Sequence, residues 1–316
     1  MNFRLLGTAD ISVPTVSLGA WAIGGWMWGG SDDEAAIAAI KHALDVGMTC
    51  IDTAPIYGMG HSEEIVGKAI KGRRQEVIIA TKCGLRWDVE EGEFFFNTQM
   101  RDGTPAKVYR NLKPGSIRYE CEQSLRRLGV DVIDIYQCHW PDATTPLSDT
   151  MEVLVDLQQQ GKIRAIGVSN FTPEMMEECL RYGSVASNQP PYSLLRRDIE
   201  KDVLPFCRDH GIGILAYSPL AHGLLTGKID PNRVFPDGDL RKNHPWFSPQ
   251  NRKRVADFLD RIKPIADGHG ATFGQLAVAW VIAQSGVTSA LVGARNPEQV
   301  EENAKAAEIL LSQEEL

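Results

Sequence analysis

Eight apolar runs of strand length, each followed by a helix-patterned segment, predict an α/β protein folded as a closed (β/α)8 TIM barrel. An N-terminal β-hairpin precedes the barrel, and long loops lie at its C-terminal face. The runs are apolar along most of their length, which suits strands buried on both faces, and polar residues gather at their ends. An open doubly wound dinucleotide fold is the alternative, but no G-x-G-x-x-G follows the first strand. At 316 residues the chain is long for one domain, yet barrels routinely reach this size, so residues 1–316 are expected to form a single barrel domain.

The hairpin is expected around Arg4-Leu5-Leu6 and Ile11-Ser12-Val13-Pro14, joined through Gly7 and plugging one end of the fold. Strand one is Thr15 to Trp21, followed by a glycine- and tryptophan-rich loop and a helix from Ser31 to Val46 that Ser31-Asp32-Asp33-Glu34 caps. Strand two is the run Cys50-Ile51-Asp52, with Tyr57 five residues beyond its carboxylate and a helix from Ser62 to Ile70. Strand three, Val77 to Cys83, again ends on a charged residue, Lys82. The segment from Gly84 to Leu112 lacks periodicity and is long for a connection, so it reads as a functional flap, with Phe94-Phe95-Phe96 packed in a hairpin rather than facing a ligand.

A helix from Pro114 to Leu128 leads to strand four, Val132 to Cys138, and to His139-Trp140-Pro141-Asp142. Helix four, Leu147 to Gln160, closes at Gly161 in a left-handed cap position. Strand five, Ile163 to Val168, ends in Ser169-Asn170, and the next helix starts from a capping Thr172 with Pro173 at its first position. Strand six is Val185 to Gln189, helix six Ile199 to Asp209 and strand seven Gly213 to Tyr217. A second long loop covers Ser218 to Trp246. Helical pattern runs from Gln250 to Ala283 with a break near Gly268-His269-Gly270; strand eight is Thr288 to Val292, and the last helix begins at Pro297.

Composition narrows the partners. A hydrophobic content of 43% and a charged content of 23% are those of a globular protein with a substantial core. The 33 Lys and Arg against 41 Asp and Glu, without any block of like charge, offer no footprint for nucleic acid or an anionic membrane. No run reaches the ~18 residues of a membrane span, and the first residues lack a signal-peptide core, so a cytoplasmic protein with a small partner is expected. The six cysteines show no C-x-x-C and fall in strand or helix patterns as reduced, buried thiols; the seven histidines are scattered without H-E-x-x-H, and no metal is expected.

A closed barrel would bring Asp52, Tyr57, Lys82 and His139 to one mouth. A phenol with a pKa near 10 is a poor acid at neutral pH, but a neighbouring lysine stabilises the phenolate and lowers that value. Asp52 would keep Lys82 charged and oriented, and His139 would hydrogen-bond and polarise a carbonyl.

With these residues the sequence resembles the aldo-keto reductases. The resemblance rests on Ile51-Asp52-Thr53-Ala54, Tyr57-Gly58, Ser62-Glu63, Ala80-Thr81-Lys82 and His139-Trp140. It continues through Lys162 to Phe171, Gln189, Tyr217-Ser218-Pro219-Leu220, Gly223 to Lys228, and Gly293-Ala294-Arg295 with Gln299 and Asn303. It runs essentially from end to end and is strongest toward the bacterial branch that includes general stress protein 69, through Trp21 to Gly25 and Met27 to Gly30.

The resemblance implies NADPH-dependent reduction of aldehydes or ketones to alcohols, with NADH the less favoured cofactor. By position it makes Tyr57 the proton donor, Lys82 and Asp52 the groups that tune it, and His139 the residue that orients the carbonyl. Ser169, Asn170 and Gln189 would hold the carboxamide, Tyr217 would stack on the nicotinamide, and residues 218 to 225 would cross the pyrophosphate. The full cofactor set it implies is Ala20, Trp21, Asp52, Ser169, Asn170, Gln189, Tyr217, Ser218, Leu220, Gly223, Leu225, Lys228, Gly293, Ala294, Arg295, Gln299 and Asn303. Arg295, Gln299 and Asn303, spaced by four across the start of the last helix, would meet the adenosine, with the Arg295 guanidinium forked onto a 2′-phosphate.

Trp21, Trp28, Tyr57, Trp87, His139 and Trp140 are expected to wall the substrate pocket and to favour compact or apolar aldehydes. Two features depart from the family pattern. Many relatives carry a lysine where Gly293 stands, and many continue past the last helix with a tail that helps close the pocket, whereas this chain ends at Leu311 to Leu316. The same family also contains cofactor-binding regulatory subunits of potassium channels, an alternative to turnover that the four mouth residues alone do not exclude. The expected partner is a small carbonyl compound, with an oligomeric state that the sequence leaves open.

Overall fold

The computed structural model describes residues 1–230 and 232–316. The chain opens with an antiparallel hairpin, β1 (Phe3–Leu5) and β2 (Ser12–Pro14), in the expected place. The barrel then follows as β3 (Val16–Gly19), α1 (Asp33–Asp45), β4 (Cys50–Asp52), α2 (His61–Ala69) and β5 (Ile78–Cys83). After β5 the chain forms β6 (Leu85–Arg86), β7 (Glu93–Gln99) and β8 (Pro105–Arg110), an antiparallel sheet in the order β6-β8-β7. The barrel resumes with α3 (Pro114–Leu128), β9 (Ile133–Cys138), α4 (Leu147–Gln159), β10 (Ile163–Ser169), α5 (Pro173–Leu180) and β11 (Ser187–Gln189). It is completed by α6 (Val203–Asp209), β12 (Gly213–Tyr217), α7 (Pro249–Gly268), α8 (Phe273–Ala283), β13 (Val287–Gly293) and α9 (Pro297–Ala304). The parallel strands close in the order β3-β4-β5-β9-β10-β11-β12-β13 and back to β3.

Local chemistry sets the helix ends. The Asp32 side chain accepts from the Ala35 N–H and starts α1, so the cap lies one residue after the expected Ser31. Its buried face, Ala36, Ala39, Ile40, Ala43 and Leu44, follows the helical spacing of three and four. Thr172 caps α5 and Pro173 follows at its first position; Gly161 is left-handed after α4, both as expected. Helix six is shorter than expected: a 3-10 turn occupies Asp198–Glu200, and Asp202 caps a separate α6 by accepting from Val203. Thr272 and Gln275 form a reciprocal capping box on α8, which is buried almost all round because it lies between the strands and α7.

The hairpin end of the barrel is sealed. Leu6, Ile11 and Val13 pack with Cys50, Ala80, Ile135, Ala165, Ala186, Leu215 and Leu291 in one buried cluster. A Cβ on Gly7 (φ +55°) would stand 2.4 Å from the Gly211 carbonyl, so only glycine lets the hairpin approach this closely. The six cysteines are free and buried. Among the described residues no helix is long and apolar enough to cross a membrane, and no cluster of three or more His, Cys, Asp or Glu is placed to hold a metal ion.

Candidate active site

At the opposite end of the barrel, Asp52 closes β4, Lys82 sits near the end of β5 and His139 follows β9. Tyr57 lies in the loop after β4, where its N–H donates to Ala54 at 3.1 Å and its carbonyl accepts from Ser62 at 3.1 Å. Gly24 packs against that loop so closely that a Cβ would stand 2.6 Å from the Tyr57 carbonyl oxygen.

Three donor hydrogens of Lys82 Nζ are accounted for. It donates to Asp52 Oδ1 at 2.6 Å, to the Thr53 carbonyl at 2.9 Å and to Tyr57 Oη at 3.3 Å. An ammonium accepts nothing, so Tyr57 keeps its own hydrogen for another partner. The His139 ring lies edge-on to Tyr57, with centroids 5.7 Å apart.

Burial dominates the proton affinities here. It pushes the Tyr57 phenol well above its ordinary value, and the Asp52 charge adds to the rise. The expected lowering by Lys82 is overridden, because the ring is desolvated and Asp52 at 2.6 Å offsets the lysine charge. Burial also pulls the Lys82 ammonium down, and contact with Asp52 opposes that pull. His139 is held well below its ordinary value by burial and then by Lys82, which leaves a neutral imidazole. The site thus presents a protonated phenol and a neutral imidazole over a buried ion pair.

The far oxygen of Asp52 is held by two amides. Oδ2 accepts from Gln189 Nε2 at 2.7 Å and from Gln137 Nε2 at 3.3 Å. Ser169 Oγ donates to the Gln189 carbonyl at 2.7 Å. Asn170 adopts a left-handed backbone (φ +62°); its amide donates to the His139 carbonyl at 3.1 Å and accepts from the Tyr217 hydroxyl at 3.0 Å. Strand ends from β9 to β12 are thereby tied together directly beside the phenol.

These groups face a cavity of about 590 Å³. Its wall includes Trp21, Trp28, Tyr57, His139 and Trp140, and farther along Ser169, Asn170, Gln189, Tyr217, Ser218, Leu220, Gly223 and Lys228. It ends at Gly293, Ala294, Arg295, Gln299 and Asn303. Asp52 and Lys82 lie behind this wall, buried under Tyr57, and Ala20 is likewise buried, with its N–H donating to the Asp52 carbonyl at 2.7 Å. Leu225 is turned into the apolar cluster formed with Phe235, Phe247 and Leu259. Trp87 is not part of the wall: it packs with Ala54, Ile56, Leu85 and Val108 under the flap.

The sequence reading missed several wall residues. Phe95 and Phe96 do face the cavity, because β7 folds over the mouth; Phe95 meets Trp140 at 5.4 Å, and Trp26 stacks on Phe96 at 6.1 Å. A run of three phenylalanines carries no alternation to say which side is covered. His222 was expected only as part of the 218–225 segment crossing a pyrophosphate; it lies 6.0 Å from Trp21 and 6.1 Å from Trp28 in a left-handed segment where Ser218 and Ala221 also have positive φ. Arg295 reaches the cleft, but its guanidinium donates to the Trp28 carbonyl at 2.6 Å, while Lys228 pairs with Glu302 at 2.7 Å.

The chemistry of the long arm suits a dinucleotide. Amide and hydroxyl groups cluster by Tyr57, an aromatic ring stands at Tyr217, glycines open the wall at 223 and 293, and cations lie at the far end.

Residues 15–316 match the model of the aldo/keto reductase family. The chain is 44% identical over 313 residues to a protein of Escherichia coli named NADH-specific methylglyoxal reductase, covering 97% of this chain and 94% of that protein. It is 42% identical to the aldo-keto reductase YhdN of Bacillus subtilis, over 95% of this chain and 87% of that one. Its fold superposes on the glycerol dehydrogenase AKR11B4 from Gluconobacter oxydans with a TM-score of 0.88 at 44% identity, covering 99% and 92% of the two chains. An aldo/keto reductase from Klebsiella pneumoniae solved with NADP and acetate gives 0.73 at 32% identity over 100% of this chain and 93% of that one. The wholly matched barrel, with the motifs Asp52-Thr53-Ala54, Tyr57, Lys82 and His139 at its mouth, belongs to the aldo/keto reductase family.

Proposed function

We propose that this oxidoreductase reduces small aldehydes or ketones to alcohols, with Tyr57 as the proton donor and a nicotinamide dinucleotide in the long arm of the cavity. When bound, that cofactor supplies the hydride. Ser169, Asn170, Gln189 and Tyr217 would hold its nicotinamide end, and the 218–225 segment, Lys228, Gly293, Ala294, Arg295, Gln299 and Asn303 the remainder. A neutral His139 donates a hydrogen bond to the carbonyl oxygen and fixes it beside Tyr57. As charge builds on that oxygen, the phenol hydrogen moves to it, and Lys82, 3.3 Å from Tyr57 Oη, stabilises the phenolate left behind.

The observation that carries this reading is the unshared phenol hydrogen: Tyr57 accepts from Lys82 and faces the cavity. A high proton affinity keeps the donor loaded at neutral pH, and burial of the ion pair keeps its field unscreened. The preference for NADPH expected from Arg295 would require its guanidinium to leave the Trp28 carbonyl for a 2′-phosphate; paired titrations with NADPH and NADH decide between the two cofactors. The named relatives are reductases and a dehydrogenase, which does not favour the channel-subunit alternative.

The test is reduced-cofactor consumption with a panel of aldehydes by the parent and by Tyr57→Phe. The expected loss in kcat is about 10²–10⁴-fold. Turnover indifferent to that substitution would remove Tyr57 from the role.

A further inference from the structure

Side chains inside a parallel barrel are ordinarily branched and apolar. On β9, Ile135 obeys that rule in the sealed end, but Gln137, two residues on and facing the same way, is a fully buried amide. It has no free rotation to solvent. Its Nε2 donates to Asp52 Oδ2 at 3.3 Å, and its Oε1 accepts from Gln189 Nε2 at 3.2 Å. Since Gln189 donates to the same Asp52 oxygen at 2.7 Å, the three side chains close a ring of hydrogen bonds.

The neighbouring strand is shaped around this amide. A Cβ on Gly167 would stand 2.7 Å from Gln137 Cγ and 2.6 Å from Ser187 Oγ, so any larger residue there would push Gln137 aside. An apolar residue would fill the same space without needing partners, whereas a buried amide is costly unless each end is bonded. The retained amide is bonded at both ends, and both partners are polar groups of the mouth.

We propose that Gln137 is a positioning residue for carbonyl reduction: it locks Asp52 to Gln189 and so sets how strongly Asp52 draws Lys82 away from Tyr57. It touches no reacting atom. Without its donated hydrogen, Asp52 Oδ2 is less satisfied, the carboxylate competes harder for the lysine hydrogens, and the Lys82 contact that supports the Tyr57 phenolate weakens. The inference rests on Tyr57 being the acid.

The test is a double-mutant cycle of Gln137→Met and Tyr57→Phe, with kcat measured in both directions across pH and thermal unfolding followed alongside. Gln137→Met in the parent should lower kcat about tenfold, the size of one hydrogen bond to a charged group, while KM for the aldehyde changes less than about twofold. The rising limb of alcohol oxidation, where phenolate is needed, should move to higher pH. In the Tyr57→Phe background the same change should cost little further rate. A loss of equal size in both backgrounds, with an unmoved pH limb, would mean that Gln137 serves packing alone and would overturn the proposal. If Gln137→Met does not fold, Gln137→Glu keeps the shape and exchanges the donor for an acceptor; the same non-additivity is expected, with a larger loss. A parent protein without any turnover would instead overturn the assignment of Tyr57.

Discussion

Replacing Lys82 with Met separates the energetic role of the ion pair from its chemical one. Lys82 is fully buried and Asp52 nearly so, and they meet at 2.6 Å. Methionine fills similar volume, so the main change is a carboxylate left underground without its cation. Such a break costs about 3–5 kcal/mol, because the remaining charge must shed its hydration or take up a proton. With a urea m-value on the order of 2–3 kcal/mol/M for a chain of this size, the unfolding midpoint should fall by about 1–2 M at pH 7.

The deficit should depend on pH in a defined direction. In the variant the carboxylate is buried without its cation, which costs free energy only in the charged form. Protonation removes that cost, so the loss of stability grows as rising pH favours the charge. The deficit should therefore be smallest near pH 4 and fully developed by pH 7. The amides of Gln189 and Gln137 still reach Oδ2, which places the loss toward the lower end of the range. Adding Asp52→Asn removes the stranded charge and should recover most of the stability while catalysis stays lost. Urea titrations from pH 4 to 8, checked for coincident fluorescence and circular-dichroism transitions, measure all of this. A Lys82→Met protein as stable as the parent at pH 7 would refute the description of the contact as a buried ion pair.

Gly24→Ala should fold but lose about a hundredfold in kcat, since its Cβ meets the Tyr57 carbonyl at 2.6 Å and backbone cannot yield as a side chain would; unaltered kinetics would exclude that contact. Burial lowers His222 to about 4 and holds His139 well below its ordinary value, so the unfolded chain, with histidines near 6.5, takes up protons first. Melting temperature should accordingly fall as pH drops from about 6.5 toward about 4, and His222→Gln should make that fall shallower; an identical fall in that variant would count against His222. Phe95→Ala should raise KM for apolar aldehydes by roughly tenfold through lost wall contact, with kcat nearly constant. Equal KM values for apolar and hydroxylated aldehydes in both proteins would show that Phe95 does not touch the substrate.

The barrel was legible because its rule is written locally: apolar runs such as Ile78-Ile79-Ala80 stop at polar residues, and helix starts carry their own caps at Thr172-Pro173 and Asn296-Pro297. The grouping of Asp52, Tyr57, Lys82 and His139 followed from closure of that barrel. Long-range choices were not legible. Whether Phe95 faces the mouth and Trp87 turns away depends on how β7 pairs with β8, across a register shift between Phe94 and Phe96. Arg295 was readable as a cation at the cleft, but not that the Trp28 carbonyl would hold it. Gln137 gave no signal at all, since a single amide in an apolar strand acquires meaning only from Asp52 and Gln189 on distant strands. The proton affinity of Tyr57 had the right neighbours named and the wrong sign, because desolvation, which sequence does not display, outweighs the lysine.

The sealed hairpin end has a consequence for how this molecule can change over time. Leu6, Ile11 and Val13 hold the base of the barrel, while the groups beside the phenol stand on strand ends and loops at the other end. Durability and selectivity are therefore drafted on separate parts of the chain. A drifting lineage can rewrite the flap, the tryptophan-rich first loop or the 218–246 segment and acquire a new diet, while the base absorbs the accumulated load.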